Sequence, residues 1–322
     1  MTDTIAAVAI GRNEGARLES CLTSLLAQGA APVIYVDSGS ADGSTARARD
    51  LGAGVVDLDL STPFTAARAR NAGWAHALEI APETQFVQFI DGDCELAPGW
   101  LEAARTAIAA DPKLAVICGR RRERFPEATI WNRMIDREWD TPVGAAKACG
   151  GDALIRRAAL EDVGGYRADL IAGEEPEMCF RMRGKGWRIH RIAAEMCLHD
   201  AAMTRLSQWW QRARRAGHAY AEGAALHGAS PERYKVAETR RALIWGAGLP
   251  VLGVILAIFV SVLGLLLPFL AWGAQILRLI LKGEDPTRAA FLTLGKLPEA
   301  QGVLGYWWGR LRGKRRGLIE YK

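Results

Sequence analysis

Short apolar runs alternate with segments of helical periodicity through the first 200 residues or so. Ile5–Ile10, Val33–Val36, Val55–Leu58, Phe86–Ile90 and Ala115–Cys118 read as buried strands. Between them, Glu14–Gln28 carries leucines at 18, 22, 25 and 26, one face of a helix. Ser44–Leu51 and Thr65–Ile80 are also helical in pattern, and Pro98-Gly99-Trp100 opens another helix. Regular alternation of this kind predicts an α/β fold with a mostly parallel sheet flanked by helices. Ligands of such sheets bind beyond the carboxyl ends of the strands, so the loops there are where chemistry is expected.

The pattern changes near residue 240. From Ala242 to Leu277 there are 36 positions without a charge. One membrane-spanning helix needs roughly 20 apolar residues, so this run is long for one span and short for two. Pro250, Gly264 and Pro268 are candidate break points. Arg240 and Arg241 precede the run, and Arg278 and Lys282 follow it. Positive charge marks the cytoplasmic side, so basic flanks at both ends predict a membrane hairpin or a re-entrant segment over residues 240–282. The division expected is a catalytic domain over residues 1–235, that apolar region, and a basic, amphipathic cytoplasmic tail over residues 283–322. Within the tail, Trp307, Trp308 and their basic neighbours between Val303 and Arg316 suggest an interfacial helix.

Composition adds little to this until its distribution is considered. The net charge is only +5, but Arg310, Arg312, Lys314, Arg315, Arg316 and Lys322 crowd the C-terminus against Glu320. The adjacent apolar run makes an anionic lipid surface the expected partner of that cluster, and nucleic acid is not expected. The six cysteines lack C-x-x-C spacing and read as reduced, buried thiols. Met1-Thr2-Asp3-Thr4 begins neither a basic nor an apolar segment, so no signal peptide is expected. Oligomeric state has no signature in the sequence.

Four loops that follow strands carry polar residues. They include Gly11-Arg12-Asn13-Glu14, and Asp37-Ser38-Gly39-Ser40-Ala41-Asp42-Gly43-Ser44. In the second of these, Asp37 can accept from a base or ribose, glycine admits close backbone approach, and Ser44 can cap a helix. Asp91-Gly92-Asp93 sets two carboxylates across a tight turn, a fit for a hard divalent cation such as Mg²⁺ or Mn²⁺. Alone, such a triplet is a common surface turn. Cys149-Gly150-Gly151-Asp152-Ala153 precedes a further apolar stretch, and Gly173-Glu174-Glu175-Pro176-Glu177 brings three acids to a helix start. Those acids either complement the helix dipole or supply a general base. A dinucleotide-dependent oxidoreductase would need Gly-x-Gly-x-x-Gly after the first strand, and Gly11 and Gly15 do not provide it.

Taken in order over residues 4–225, these segments resemble the family 2 glycosyltransferases, which have the GT-A fold. The resemblance rests on Arg12-Asn13-Glu14 and Val36–Ser44, on Ala69-Arg70-Asn71-Ala72-Gly73 and Asp91-Gly92-Asp93, and on Gly173-Glu174-Glu175 with Arg181 and Gly186-Trp187. It implies that Asp37 and Arg70 contact the nucleoside base, Asp91 the ribose side, and Asp93 the metal bridging the diphosphate. Asn13, Glu14, Gly39, Asp42, Gly150 and Gly151 fall in the same nucleotide-sugar loops. His199 would complete the metal shell. Glu175 occupies the catalytic-base position, where the family more often has Asp, and Glu174 is its rival. Gln208-Trp209-Trp210-Gln211-Arg212 only loosely resembles the Q-x-x-R-W motif of processive synthases, which points to one sugar per encounter. Arg212 could instead hold a pyrophosphate or lipid phosphate.

The function implied is metal-dependent, inverting transfer of a sugar from a nucleotide-diphosphate donor to a lipid-linked or polysaccharide acceptor. The location expected is the inner (cytoplasmic) membrane, with the catalytic domain on the cytoplasmic side. The alternative is a non-catalytic, membrane-anchored GT-A scaffold in a polysaccharide assembly complex.

Overall fold

Strand formation at the N-terminus follows from burial on both faces. In β1 (Ile5–Gly11) the four residues Ala6–Ala9 have no exposed surface, and small side chains there let helices approach closely. The computed structural model describes residues 4–313, so the N-terminal tetrapeptide is described only at Thr4, and Lys314, Arg315, Arg316, Glu320 and Lys322 lie outside the described residues. The backbone forms two units, one ending at Ala202 and the other beginning at Met203.

In the first unit β1 is followed by α1 (Ala16–Ala27), β2 (Val33–Asp37), α2 (Ser44–Asp50), β3 (Gly54–Asp57), α3 (Ala66–Ile80) and β4 (Phe86–Asp91). Then come β5 (Cys94–Leu96), α4 (Trp100–Ala109), β6 (Leu114–Glu123), α5 (Ile130–Trp139), β7 (Gly144–Ala146), β8 (Ala153–Arg156), α6 (Arg157–Val163), α7 (Glu174–Gly184) and β9 (Arg188–His199). They build one nine-stranded sheet in the order β3-β2-β1-β4-β8-β6-β9-β5, with β7 on β9. The first four strands are parallel, as the alternation predicts. Beyond β4 the sheet is mixed: β8 runs antiparallel to both β4 and β6, β6 and β9 are parallel, and β5 and β7 run antiparallel to β9.

Register decides which polar residues meet. Gly11 pairs with Asp37 and Ile10 with Asp91, so both acids leave the sheet at one edge. His199, the last residue of β9, pairs with Cys94 on one side and Glu123 on the other. The long chain from β4 to β9 thereby returns a histidine to the residue after Asp93. Gly73 lets α3 lie on the sheet, since a Cβ there would sit 2.3 Å from a methyl of Val8.

The second unit is helical among its described residues. It contains α8 (Leu206–His227), α9 (Val236–Leu243), α10 (Leu249–Phe259), α11 (Leu267–Leu281), α12 (Pro286–Leu294) and α13 (Lys296–Leu311). A wide π turn, Ile244–Gly248, joins α9 to α10, giving a continuous helical segment Val236–Phe259 of 24 residues. Pro250 does not break it: the proline sits in the first turn of α10, where its missing N–H costs least, and the π turn absorbs the misfit. The break falls at Val260-Ser261, where Ser261 is extended and caps the turn Val262–Leu266 that leads into α11. The second segment, Val262–Leu281, has 20 residues. At about 1.5 Å per residue the two reach roughly 36 and 30 Å, each long and apolar enough to cross a membrane.

Their surface is inverted relative to a water-soluble bundle. Phe259, Val260, Val262, Phe269, Leu270 and Leu281 are all exposed. Contacts between the arms run through small residues, with Gly253 against Pro268 and Gly264 against Leu256. Helix α13 crosses α8 at Gly302 and Gly217, where any Cβ would strike the facing backbone. It leaves Leu304, Trp307, Trp308 and Leu311 exposed, with Arg312 stacked 4.2 Å from the Trp308 ring.

Candidate active site

The loops after β1 and β2 are stitched to each other. Asn13 donates its N–H to Ser40 Oγ (2.8 Å), and its own Oδ1 accepts from the Ala41 N–H (2.8 Å). Asn13 has φ +57, a conformation that asparagine tolerates better than most residues. Asp42 closes the same seam by accepting from the Gly15 N–H (3.0 Å), and from both the N–H and the hydroxyl of Ser44. Ser44 is therefore the first residue of α2 and not its cap; Gly43 holds the cap position, and the Asp42 carboxylate takes the Ser44 N–H from just outside the helix. Glu14 pairs with Arg17 at 2.9 Å.

Asp37 is buried at the end of β2. Its Oδ1 accepts from the Tyr35 hydroxyl, and its Oδ2 from the Gly39 and Ser40 N–H groups. A carboxylate has about four acceptor positions, so about one is left for a ligand. Gly39 has φ +91, and a Cβ there would meet Leu60, so glycine is required at this turn.

At the next strand, arginines and acids alternate in a chain. Arg70, with its side chain 3% exposed, donates to Asp91 Oδ1 and to Glu174 Oε1, each at 2.8 Å. Burial alone would lower its pKa, but Asp91 and Glu174 outweigh burial and raise it, so the guanidinium stays charged. Arg121 reaches Asp91 Oδ2 (3.4 Å) and Asp152 Oδ2 (3.2 Å) while lying over the Trp139 ring. Asp152 accepts the Asp91 backbone N–H (2.8 Å) and the thiols of Cys94 and Cys197. Gly151 passes so close that a Cβ would lie 2.8 Å from Arg70 Nη2. Gly150 has φ +82. Asn71 holds the neighbouring wall by accepting from the Tyr166 N–H and donating to the Tyr166 carbonyl.

Asp93 and His199 face each other, with Oδ2 and Nε2 3.3 Å apart and both residues buried. On its other side the imidazole has Nδ1 3.6 Å from Glu123 Oε2. Glu123 is itself fixed by the N–H groups of Phe125 and Ala201 and by the Asn132 amide. Trp139 packs edge-on to the imidazole at 4.7 Å. Burial, then the nearby Arg121, lowers the His199 pKa and keeps the ring neutral. A carboxylate behind a histidine favours the tautomer that turns the other nitrogen's lone pair outward. Two ligands of a divalent cation at bond lengths near 2.1 Å lie about 3.0–3.4 Å apart, so this oxygen–nitrogen pair fits such an ion.

The two glutamates at the start of α7 part company. Successive helical residues point about 100° apart. Glu174 turns to Arg70, whereas Glu175 turns into a pocket formed by Cys149 and by Cys179, one helical turn on. Glu175 Oε1 accepts from the Cys149 N–H (2.6 Å) and from the thiols of Cys149 (3.1 Å) and Cys179 (3.0 Å). All three donors converge on that one oxygen. Burial raises the carboxyl's pKa despite these bonds. Glu177 is spent on Arg181, which also ties to the Gly165 carbonyl.

Asn13, Asp37, Gly39 and Asp42 thus form one loop seam. Arg70, Asp91 and Glu174 belong to the ion-pair chain, which Gly151 passes closely, and Asp93 and His199 form the candidate metal pair. Arg212 sits half-buried on α8 in the second unit. Sequence reasoning missed Arg121, Glu123 and Asp152. Asp152 stood in a run already singled out for its glycines, and its position just before an apolar strand was the one available signal.

Residues 8–164 match the family model described as glycosyl transferase family 2. Two curated relatives, the pre-mycofactocin glycosyltransferases of two Mycobacterium tuberculosis strains, are each 28% identical over 215 residues. That match takes in 62% of this chain and 43% of each relative, so the chain spans less than half the length of these relatives. Among solved structures, the mannosyltransferase PcManGT from Pyrobaculum calidifontis, in complex with GDP-Man and Mn²⁺, superposes with a TM-score of 0.62. It is 19% identical, with 95% of this chain and 87% of that one covered, which speaks for the fold.

Proposed function

We propose that this chain, whose residues 8–164 match glycosyl transferase family 2, moves one sugar at a time from a nucleotide-diphosphate donor to a lipid-linked or polysaccharide acceptor at a membrane. The observation that carries the reading is the opposed pair Asp93 and His199, brought together from ends of the chain 106 residues apart. Both would hold Mn²⁺ or Mg²⁺. Bound there, the ion would supply neutralisation of the diphosphate as it leaves.

The chain's own residues divide the remaining work. The one open acceptor position of Asp37 suits a nucleobase N–H. Arg70 keeps Asp91 extended toward the donor, and the loops stitched by Asn13, Gly39 and Asp42 shape the floor, with Glu14, Gly150 and Gly151 lining it. Glu175 takes the proton of the acceptor hydroxyl on Oε2, the oxygen that the Cys149 and Cys179 donors leave alone. A raised carboxyl pKa brings a base closer to the pH at which it works. The acceptor oxygen then attacks the anomeric carbon opposite the departing diphosphate, which inverts that centre. Glu174, neutralised by Arg70, is a poorer base and acts as a positioning residue. The exposed apolar hairpin anchors the catalytic unit, with the flanking Arg240, Arg241, Arg278 and Lys282 placing both ends on the cytoplasmic side of the inner membrane. Arg212, on α8, is the proposed contact for a diphosphate or lipid phosphate.

The test uses the full-length chain in membranes, a panel of nucleotide-diphosphate sugars, and lipid-linked and polysaccharide acceptors. Glu175→Gln should lower kcat by about 10²- to 10⁴-fold with little change in donor KM. Glu174→Gln should chiefly raise donor KM. Activity should remain in the pellet after an alkaline carbonate wash and leave it with detergent. The base assignment fails if Glu175→Gln still turns over and Glu174→Gln does not; release by carbonate alone would sink the anchor.

A further inference from the structure

The cysteines that look scattered in sequence are gathered in space behind the ion-pair chain. Cys21 points at the Asp91 carbonyl, Cys94 and Cys197 at Asp152, and Cys149 and Cys179 at Glu175. Cys118 lies near enough for the charge on Glu175 to act on its thiol. Two of these groups have the same make-up, a carboxylate with two thiols, yet differ in what a cation would meet.

We infer that Cys149, Cys179 and Glu175 form a second metal site, which takes a thiophilic divalent cation of the Zn²⁺ class and so withdraws Glu175 from the acceptor. The inference rests on the reading of Glu175 as the base. The geometry is close to that of a tetrahedral centre already. With metal–sulfur bonds of about 2.3 Å and metal–oxygen bonds of about 2.1 Å, the sulfurs should stand about 3.8 Å apart and each sulfur about 3.6 Å from the oxygen. The two sulfurs are 3.8 Å apart, and they lie 3.1 and 3.0 Å from Glu175 Oε1. Binding would need shifts of about half an ångström as the two S–H protons are released to solvent and two thiolates and one carboxylate take the ion. Cys149 is only half-buried, which gives an entry path and a fourth, outward position for water.

The group at Asp152 is the contrast. Arg121 Nη1 already stands 3.2 Å from the same Asp152 oxygen that both thiols touch, and the Asp152 side chain has no exposed surface. A metal there would face a guanidinium and have no way in. The Asp93–His199 pair offers one oxygen and one nitrogen, with the Cys94 thiol beside them, whereas the group at Glu175 offers two thiols and so favours a thiophilic ion more strongly.

The experiment adds Zn²⁺ and Cd²⁺ to the full-length chain in lipid nanodiscs with Mg²⁺ in excess. Zinc X-ray absorption on the unaltered chain should show two sulfur neighbours, and Cd²⁺ should give a thiolate-to-metal charge-transfer band saturating at one equivalent. Cys149→Ser and Cys179→Ser should each lose the band, while Cys94→Ser and Cys197→Ser keep it. A zinc shell of oxygen and nitrogen alone overturns the site, as does a band that survives in the Cys149→Ser, Cys179→Ser double variant. Zinc should also suppress turnover, measured relative to each variant's own basal rate, and lose that effect in Cys179→Ser. Sulfur-bound zinc with undiminished turnover would leave the metal site standing and remove Glu175 from the chemistry, so the two failures are separable.

Discussion

Two halves of the same sheet edge are built on opposite principles. Between β1 and β2, carboxylates and an amide are satisfied by neutral donors, mostly backbone N–H groups: Asp37 by Gly39 and Ser40, Asp42 by Gly15 and Ser44, Asn13 by Ala41. Between β4 and β9, charge is answered by charge, in the chain Glu174–Arg70–Asp91–Arg121–Asp152. The first arrangement fixes a shape with neutral donors and keeps little net field. The second strings together five charged side chains, all but Asp91 largely buried, and burial makes a buried charge depend on neighbours of the opposite sign. At the end of the second half stand the Asp93–His199 pair, 3.3 Å apart, and Glu175, whose Oε1 takes one N–H and two thiols in place of a guanidinium. The difference bears on the proposed site: it puts the turn-built half on the floor and the chemistry with the charge-built half.

The sharpest way to break that division is Asp93→Ala. If Asp93 holds the ion, losing it removes several kcal/mol of charge stabilisation on the leaving diphosphate, and turnover should fall by about 10³-fold or more. Asp93 is buried against the His199 imidazole, so the fold is followed alongside turnover. Nucleotide release against a Mn²⁺ titration, with thermal unfolding in parallel, reads both. Turnover within about tenfold of the parent would show that the metal assignment is wrong.

Next in size is Asp152→Ala, which cuts the chain itself. It leaves the buried Arg121 with the longer, 3.4 Å contact to Asp91 and takes the acceptor from the Asp91 N–H. Breaking a buried pair by removing one partner costs about 3–5 kcal/mol. For a unit of about 200 residues that lowers Tm by roughly 10 °C, since each kcal/mol shifts it by about 2–4 °C. Circular dichroism of the full chain in detergent measures the shift. An unchanged Tm would mean that the charge chain is ornamental and that the contrast between the halves is empty.

The same contrast explains what was legible beforehand. The four parallel strands match their apolar runs to within a residue, as with Ile5–Ile10 in β1 (Ile5–Gly11) and Phe86–Ile90 in β4 (Phe86–Asp91). Asp37 and Asp42 were legible because turn chemistry is local. By contrast β6 runs on to Glu123, five residues past the apolar stretch Ala115–Cys118. Arg120-Arg121-Arg122-Glu123 has the composition of a surface loop. It is a strand because Arg120, Arg121 and Glu123 find Asp136, Asp152 and His199, partners 16, 31 and 76 residues away. No spacing rule announces such partners. The apolar helical pair stood out because a long uncharged run needs no partner to be noticed, although its break at Val260-Ser261 lay at none of the prolines or glycines that usually mark one.

The smallest expected effect separates shape from contact in the turn-built half. Asp42 is exposed and its carboxylate is spent on Ser44 and Gly15. Those bonds, the Ser44 hydroxyl foremost, lower its pKa. A depressed folded-state pKa means that the stabilisation is present above the ordinary aspartate value of about 3.9 and is lost as pH falls through the depressed one. Asp42→Ala should therefore cost about 1 kcal/mol at neutral pH, the usual worth of a side chain that takes an N–H at a helix start, and the difference from the parent should close on acidification. Donor affinity, measured by titration calorimetry, should move by less than about tenfold, the equivalent of about 1.4 kcal/mol. If affinity instead falls a hundredfold or so while Tm is unchanged, about 2.7 kcal/mol has left the donor complex and not the fold. Asp42 would then touch the donor directly, and the turn-built half would have to be counted among the reactive groups.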